Sequence, residues 1–380
     1  MKKIFLIVEL LFLTISIYPQ NASFDSTVNT GIKQIYDIKF DDAEKTFKGL
    51  IADYPAKPQG KFFLAMIDWW KILLNPEAES YDDIFYQKLE DVIFQCDRIL
   101  KNNPDNEDAL FFKGGSIGFR GRLRALRESW LKAADDGRLA LPIVEKASKL
   151  NPDNIDVKLG FGIYDYFAAV IPEENPFIRP LMIFFPPGDK QKGIALLKDV
   201  AMQGKYARYE ARYFLMTLYY NYENNPYKAD EWSQMLVKDF PDNPVFERWS
   251  GRIAAKRGDY FTSSSIFWDV WNKGLKNYSG YNNASSKREA SYYIAYQYRN
   301  LSKLDSASYF FNECVKYSKQ LDKKEVSGFM INSILYLGMI NDEWGNRNVA
   351  VAYYKKLLDM RDYGNSHGMA EEYLKKPYKK

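Results

Sequence analysis

Cysteine and histidine are almost absent from the sequence. Its 380 residues include two cysteines, Cys96 and Cys314, and one histidine, His367. A disulfide-stapled secreted scaffold would be much richer in cysteine, and a Cys/His zinc site needs several such ligands together. We expect no metal site and two free, buried cysteines on apolar helix faces. His367, in a polar stretch near the C-terminus, is expected to be a solvated loop residue rather than part of a Ser-His-Asp triad.

An excess of charge of either sign is also absent. Lys and Arg number 53 and Asp and Glu number 49, which gives a net charge of +4. A nucleic-acid-binding domain usually shows a basic excess or a basic stripe, so we expect no nucleic-acid partner. The glycines at 114, 115, 118 and 121 lack the Lys-Ser/Thr pair of a phosphate-binding loop. They suit close helix packing, and no cofactor is expected.

Long apolar runs are absent beyond the N-terminus. Lys2 and Lys3 precede an apolar run over 4–17 that only Glu9 interrupts, and polar or small residues follow as far as residue 22. A basic start, a short apolar run and a small or polar end are typical of a secretory signal peptide. We predict a signal peptide over 1–22 and export to the periplasm or outer cell envelope of a bacterium. An uncleaved membrane anchor is the alternative.

The sequence does contain a repeat. The first position of the repeat is usually a small residue. The positions four and seven residues later are mostly apolar. Steps of four and three place all three residues on one helix face. The seven copies are Ala43-Phe47-Leu50, Val92-Cys96-Ile99, Ala140-Val144-Ala147, Ala229-Ser233-Leu236, Ser263-Phe267-Val270, Ala307-Phe311-Cys314 and Ala350-Tyr354-Leu357.

Each copy is predicted to have a partner helix before it, and residues that end or cap helices lie around the copies. Twelve residues before the small residue lies another small one, at Gly31, Gly251, Ala295 and Gly338, which predicts the closest point of a helical hairpin. In the first four copies a proline follows five residues after the last position and ends the helix. The tripeptide Pro-Asp-Asn, at 104–106, 152–154 and 241–243, is expected to cap the helix that follows it.

These residues resemble the tetratricopeptide repeat, which pairs two helices in units of 34 residues. Ala229 and Ser263 are separated by that length. The resemblance implies an all-α fold, a TPR-like right-handed α-superhelix of about eight helical hairpins in a single domain over 23–375. Two units depart from the pattern: one carries an extra amphipathic helix over 120–134, and another carries a proline-rich insert over 171–189.

The central block is similar, more faintly, to the eukaryotic TPR proteins associated with inclusion-body clearance. The cellular setting differs, so no function is transferred. The shared residues are Phe161-Gly162-Ile163-Tyr164, Ile171-Pro172, Gly188-Asp189-Lys190, Gly193 and Leu197.

The insert contains five of the chain's 16 prolines and an apolar run over 181–185. Adjacent side chains diverge, so Leu181–Phe185 cannot all face one side. We predict that the insert folds back over the helix at 120–134, with Arg179 or Asp189 paired locally. The alternative is that Leu181–Phe185 contacts a partner or makes peripheral contact with a membrane.

Partner-binding residues follow from the resemblance, in which the first helix of each unit lines a concave groove. Cations beside aromatic rings suit an acidic or C-terminal segment of a protein or peptide partner. The alternative is that these residues only solvate the array. The groove positions are Arg248, Arg252 and Lys256 in one unit, and Glu289, Tyr292, Tyr296 and Arg299 in the next.

A second candidate is a stripe of arginines. Arg120, Arg124 and Arg127 share one helix face, and Arg binds carboxylate or phosphate in a bidentate manner. The alternatives are a solvated stripe or internal pairing with acidic residues, either Asp135-Asp136 or Asp165.

The expected function is therefore an exported TPR scaffold without catalytic activity. The competing class is a glycan-active enzyme on a helical toroid, because paired carboxylates near tyrosines suit glycoside cleavage. Its candidate acids lie around the insert and are Asp135, Asp136, Asp165, Glu173 and Glu174. Their structural alternative is a helix start for the first pair and a solvated loop for the last.

Overall fold

A computed structural model describes residues 18–174, 176, 179 and 185–379, without the side chains of 18–22. Over these residues the chain forms seventeen α-helices, a 3-10 turn at Ile155–Val157 and no strand. The helices are α1 Tyr18–Tyr36, α2 Phe40–Asp53, α3 Gln59–Leu74, α4 Asp82–Asn102, α5 Glu107–Leu126, α6 Trp130–Leu150, α7 Lys158–Glu174, α8 Lys190–Gln203, α9 Arg208–Asn221, α10 Pro226–Asp239, α11 Pro244–Lys256, α12 Tyr260–Leu275, α13 Ala284–Asn300, α14 Leu304–Leu321, α15 Gly328–Glu343, α16 Arg347–Leu358 and α17 Ser366–Lys375.

The chain divides into two compact units. Unit 1 comprises residues up to Trp70 and Ser80–Arg208, and unit 2 comprises Lys71–Glu79 and the chain from Tyr209 onward. Unit 1 contains the hairpins α1/α2, α5/α6 and α7/α8, together with α4 and with α3 as far as Trp70, so the last turn of α3 belongs to unit 2. Unit 2 contains α9/α10, α11/α12, α13/α14 and α15/α16, and ends with α17. Eight hairpins in the described residues confirm the predicted all-α repeat architecture.

In seven of the eight hairpins, all except α7/α8, the second helix carries the repeated triad. Phe267 of α12, Phe311 of α14 and Tyr354 of α16 are fully buried. Of all the predicted triad positions, Ile99 alone is half-buried. The facing helix carries the small residue: a Cβ at Gly251 would lie 2.5 Å from Cε2 of Phe267, and one at Gly338 would lie 2.5 Å from Cε1 of Tyr354. The predicted repeat register is confirmed.

The Pro-Asp-Asn tripeptides also act as predicted. The Asn106 side chain accepts the backbone N–H of Ala109 at 2.9 Å at the start of α5. Asn243 accepts the N–H of Val245 at 2.9 Å at the start of α11. Asn154 caps the 3-10 turn in the same way. Each side chain satisfies an amide that has no partner inside its helix.

The predicted extra helix over 120–134 does not exist as a separate element. Residues 120–126 are the last turns of α5, and 130–134 begin α6. The backbone reverses between them at Glu128, whose φ of 58° lies in the left-handed region. Both helices are long, at 20 and 21 residues. The additional residues therefore lengthen α5 and α6 and do not form a third helix.

The insert begins later than predicted, because α7 continues through Pro172 to Glu174. Pro172 is tolerated near the helix end, where one lost hydrogen bond disturbs few turns. The described end of the insert lies against α7. Tyr164 donates to the carbonyl of Pro186 at 2.6 Å, and a Cβ at Gly188 would lie 2.5 Å from the carbonyl oxygen of Asp165.

The predicted local pairing is confirmed: Arg179 donates to the carbonyl of Pro172, and Asp189 caps α8. Phe185 is half-buried, whereas Leu181–Phe184 lie outside the described residues. Their contact with 120–134, a partner or a membrane stays a prediction.

The termini bear on two predictions. Residues 1–17 lie outside the described part of the chain, and α1 begins at Tyr18, so the last residues of the predicted signal peptide are helical. No described helix has both the length and the apolar character needed to cross a bilayer. His367 is not in a loop but in the first turn of α17, where its Nε2 lies 2.8 Å from the carbonyl oxygen of Met360.

Candidate protein-binding groove

The first helices of three consecutive hairpins lie side by side in unit 2. Arg248 of α11 reaches Glu289 of α13, with 2.6 Å between Nε and Oε2. Tyr296 of α13 meets Tyr336 of α15, with ring centroids 5.8 Å apart. These contacts join α11, α13 and α15 into one surface, as the predicted groove requires.

Beneath this surface lies a buried charge cluster, the Glu289 triad, formed by Arg248, Arg252 and Glu289. Arg252 donates to both carboxylate oxygens, at 2.7 Å for the Nη2–Oε2 pair. Burial opposes ionisation of Glu289, but the charges of Arg252 and Arg248 outweigh it and lower its pKa to about 2. Arg248 also donates to the hydroxyls of Ser285 and Ser286. Buried charges persist only when paired in this way.

Above the triad lies a set of side chains that are half-buried or exposed. We call it the aromatic groove, and it consists of Tyr220, Trp249, Lys256, Tyr260, Tyr292, Tyr296 and Tyr336. Trp249 and Tyr220 meet edge to face at 5.2 Å, and Tyr260 lies 4.8 Å from Tyr296. The groove thus combines flat apolar rings with phenolic hydroxyls.

Cations lie against these rings. The ammonium of Lys256 is 4.3 Å from the centroid of Tyr220, and the guanidinium of Arg252 is 4.7 Å from that of Trp249. Burial and the neighbouring Tyr336 and Tyr260 raise the pKa of Tyr296. Its hydroxyl therefore stays protonated. The groove can offer hydrogen-bond donors, one exposed ammonium and stacking surfaces.

Paired helices with a small residue against an aromatic ring, and first helices aligned along one surface, are the features of the tetratricopeptide-repeat fold. The chain folds as a tetratricopeptide-repeat array. No protein-family model matches the sequence. It is 33% identical over 218 residues to a Haemophilus influenzae protein with the provisional name cytochrome c-type biogenesis protein CcmH. The match covers 52% of this chain and 43% of the relative, so the chain spans less than half of that relative's length.

Solved TPR structures are also similar to the chain. The type IV pilus biogenesis factor PilW is 14% identical, with a TM-score of 0.43, and the match covers 68% of this chain and 98% of PilW. The C-terminal part of a TPR repeat-containing protein from Cytophaga hutchinsonii is 15% identical, with a TM-score of 0.37, over 80% of this chain and 98% of that one.

The TPR fold brings the predicted groove residues together but uses several of them internally. Arg248 is only 5% exposed, and Arg299 is 7% exposed and pairs with Glu343 at 3.2 Å. Neither guanidinium is presented to a partner. Lys256 is exposed, whereas Tyr292 and Tyr296 are half-buried, and Arg252 is shared between the triad and the face of Trp249.

The arginine stripe of unit 1 forms internal ion pairs, the alternative to binding a carboxylate or phosphate of a partner. Arg120 and Arg124 both bind the buried Asp136, at 2.5 and 2.6 Å. Arg127 binds Asp82 through two hydrogen bonds of 2.6 and 2.9 Å. Asp136 lies beyond the first turn of α6, so it serves these arginines and not the helix start that was expected.

The other carboxylates near the insert have ordinary surroundings. Asp165 is buried and pairs with Lys192 at 2.9 Å, and Asp135 pairs with Arg138 on the surface. Glu173 and Glu174 are exposed at the end of α7. The groove, in contrast, includes aromatic residues that sequence reasoning missed. Two of them, Trp249 and Tyr336, lie two residues before the small residue of their hairpins, and Tyr293 occupies the same position in the hairpin between them. That aromatic pattern could have revealed these two.

Proposed function

We propose that this protein is an exported TPR scaffold of the bacterial cell envelope that binds a protein or peptide partner in the aromatic groove. The observation that carries the proposal is the groove itself. Its tyrosines and Trp249 are half-buried side chains on rigid helices, while the Glu289 triad below ties α11 to α13. Rigid aromatic side chains lose little conformational entropy on binding and dominate the energetics of interfaces.

The charge of the groove favours an acidic segment or the C-terminus of a polypeptide as the occupant. Lys256 is exposed, and among the described residues its ammonium donates to one backbone carbonyl, that of Tyr220. It therefore retains donors for a carboxylate. Arg252 contributes positive potential from below, although Glu289 neutralises part of it. Tyrosine hydroxyls add donors for backbone carbonyls.

Export is the second part of the proposal, and it rests on the basic and apolar pattern of residues 2–17. The name of the Haemophilus influenzae relative, a cytochrome c-type biogenesis protein, supports a role in the assembly of other proteins. N-terminal sequencing of the mature protein should find a start between Asn21 and Phe24. Intact Met1 on membrane-extracted protein would replace secretion with anchoring.

The groove is tested by capture of envelope proteins with the tagged full-length protein. The variant Tyr296→Ala/Lys256→Glu removes one ring and reverses one charge, so a specific partner should be lost by at least about tenfold. The matched control is Tyr309→Ala/Lys319→Glu on α14, where both side chains are exposed outside the groove. A partner that survives the groove variant, or is lost equally with the control, would contradict the proposed site.

A further inference from the structure

A cavity of about 450 Å³ lies in unit 1, where the beginnings of several first helices meet. Its walls come from the starts of α1, α3 and α5, from residues 151–156 and from residues 203–206. This volume lies within the range of small-molecule sites. None of its residues belongs to the aromatic groove.

Gln59, the first residue of α3, lines this cavity, and its side chain contains an unsatisfied acceptor. Its side chain is only 2% exposed, and its Oε1 has no hydrogen-bond partner in the described structure. A buried amide oxygen without a donor is costly. A ligand that brings an N–H or O–H into the cavity would remove that cost.

The charges around the cavity favour a cation. Five carboxylates and two ammonium groups line it: Asp25, Glu107, Asp108, Asp153 and Asp156, with Lys57 and Lys205. Lys57 pairs with Asp108 at 2.8 Å, and Lys205 pairs with Asp25 at 2.5 Å. Each lysine thus cancels one acid, and three carboxylates remain.

Asp156 among these three is structural. It is buried and accepts the backbone N–H groups of Lys205, Tyr206 and Ala207 at 2.8, 2.8 and 3.2 Å. It thereby caps the entry to α9. Glu107 receives one hydrogen bond from Asn151, and Asp153 is exposed. These two carboxylates leave a net negative charge at the cavity.

The aromatic side of the cavity also suits a cation. Phe24, Phe111, Phe112 and Tyr206 line it. The protein's own lysines already use two of these rings: Lys57 lies 5.7 Å from the centroid of Phe24, and Lys205 lies 5.1 Å from that of Tyr206. Ring faces in this position attract ammonium and guanidinium groups.

We propose that this cavity binds an organic cation, an alkylammonium or guanidinium group with its aliphatic stem. Its N–H donates to Oε1 of Gln59, Glu107 and Asp153 balance its charge, and the stem packs on the phenylalanine rings. Such a group is available from two sources: a free diamine or guanidine, and the Lys or Arg side chain of a bound peptide.

The test is calorimetric titration of the full mature protein at low salt. The free probes are agmatine and spermidine, and the peptide probe is acetyl-Gly-Arg-Gly-amide. The same peptide with citrulline, a neutral isostere of arginine, is its control, and citrate is the anionic control. We expect binding of agmatine or the arginine peptide, and none of citrulline peptide or citrate. Binding of the peptide alone would assign the cation to a protein partner, and binding of agmatine would assign it to a free amine.

Two variants connect binding to the cavity. Gln59→Leu should weaken binding by about tenfold, because it removes the acceptor, and Asp153→Asn should weaken it less. Asp91→Asn on α4, also exposed, should leave it unchanged. If circular dichroism shows that Gln59→Leu is unfolded, the comparison of Asp153→Asn with Asp91→Asn tests the proposal. No cation binding at millimolar concentration, equal binding of citrate, or affinity unchanged by both cavity variants would overturn the proposal.

Discussion

The ring of Phe47 lies directly against Gly31, at the closest approach of α1 and α2. A Cβ built on Gly31 would be 2.3 Å from Cζ of Phe47 and less than 3 Å from two more ring carbons. Phe47 is fully buried and stacks on Phe63 at 5.4 Å, so the ring has little room to move. The helices α1 and α2 can therefore approach this closely only because residue 31 has no Cβ.

Gly31→Ala should destabilise the protein by roughly 1 to 3 kcal/mol through overpacking, even though alanine favours helix over glycine. The matched control is Gly49→Ala in the same hairpin. A Cβ at Gly49 has no atom within 4 Å, so that change should stabilise by about 0.5 to 1 kcal/mol. Urea unfolding measures both. Equal effects of the two substitutions would refute the packing argument.

The same contact explains why the repeat register could be predicted from sequence. A small residue and an aromatic ring sixteen positions later mark the hairpin at Gly31 and Phe47, Gly251 and Phe267, and Gly338 and Tyr354. Helical periodicity fixes which faces meet. The contact is local, so no knowledge of distant parts of the molecule was needed.

Pairings between hairpins could not be predicted in this way. Arg248 lies on the predicted groove face, but its distance from Glu289 depends on how α11 and α13 pack, which periodicity does not specify. The sequence therefore predicted that Arg248 is a cation on the groove surface. In the structure Arg248 is buried and forms an ion pair with Glu289. The end of α5 could not be predicted for a different, local reason. The turn after it places Glu128 in the left-handed region, where glutamate is an unusual residue.

Glu289→Ala should cost about 3 to 5 kcal/mol of unfolding free energy. The change leaves Arg248 buried without its carboxylate, and an unpaired buried charge is far more costly than a broken surface pair. Glu313→Ala is the control, because Glu313 pairs with an exposed Lys316 on α14, and that change should cost about 1 kcal/mol or less. Guanidinium unfolding distinguishes them. Similar small losses for both would show that the triad does not hold α11 and α13 together.

The carboxyl of Glu247 should make stability depend on pH. It is buried, accepts from the Tyr281 hydroxyl at 2.5 Å and lies 3.0 Å from Nζ of Lys273. Burial raises its pKa from the ordinary 4.5 to about 7, although Tyr281 and Lys273 oppose the shift. A raised pKa in the folded state gives stability that is complete below pH 4.5 and is lost as pH rises through 7.

Glu247→Gln removes this titration. Between about pH 5 and pH 8, the unfolding free energy of the variant should therefore rise by roughly 1 to 3 kcal/mol relative to the parent. Paired denaturant titrations across that range measure the difference, and effects common to both proteins cancel. A difference that stays constant with pH would mean that Glu247 is ionised throughout.

The two thiols should be unreactive until the protein unfolds. Cys96 and Cys314 are free and fully buried, and burial raises their pKa values to about 12 and about 11. Thiolate is the reactive form, so Ellman's reagent at about pH 8 should label neither cysteine in the native protein and both after denaturation. Ser80→Cys, at an exposed position, supplies one fast-reacting thiol for comparison. A parent thiol that reacts at that rate would place a cysteine at the surface, and thiols that appear only after reduction would indicate a disulfide in place of two free side chains.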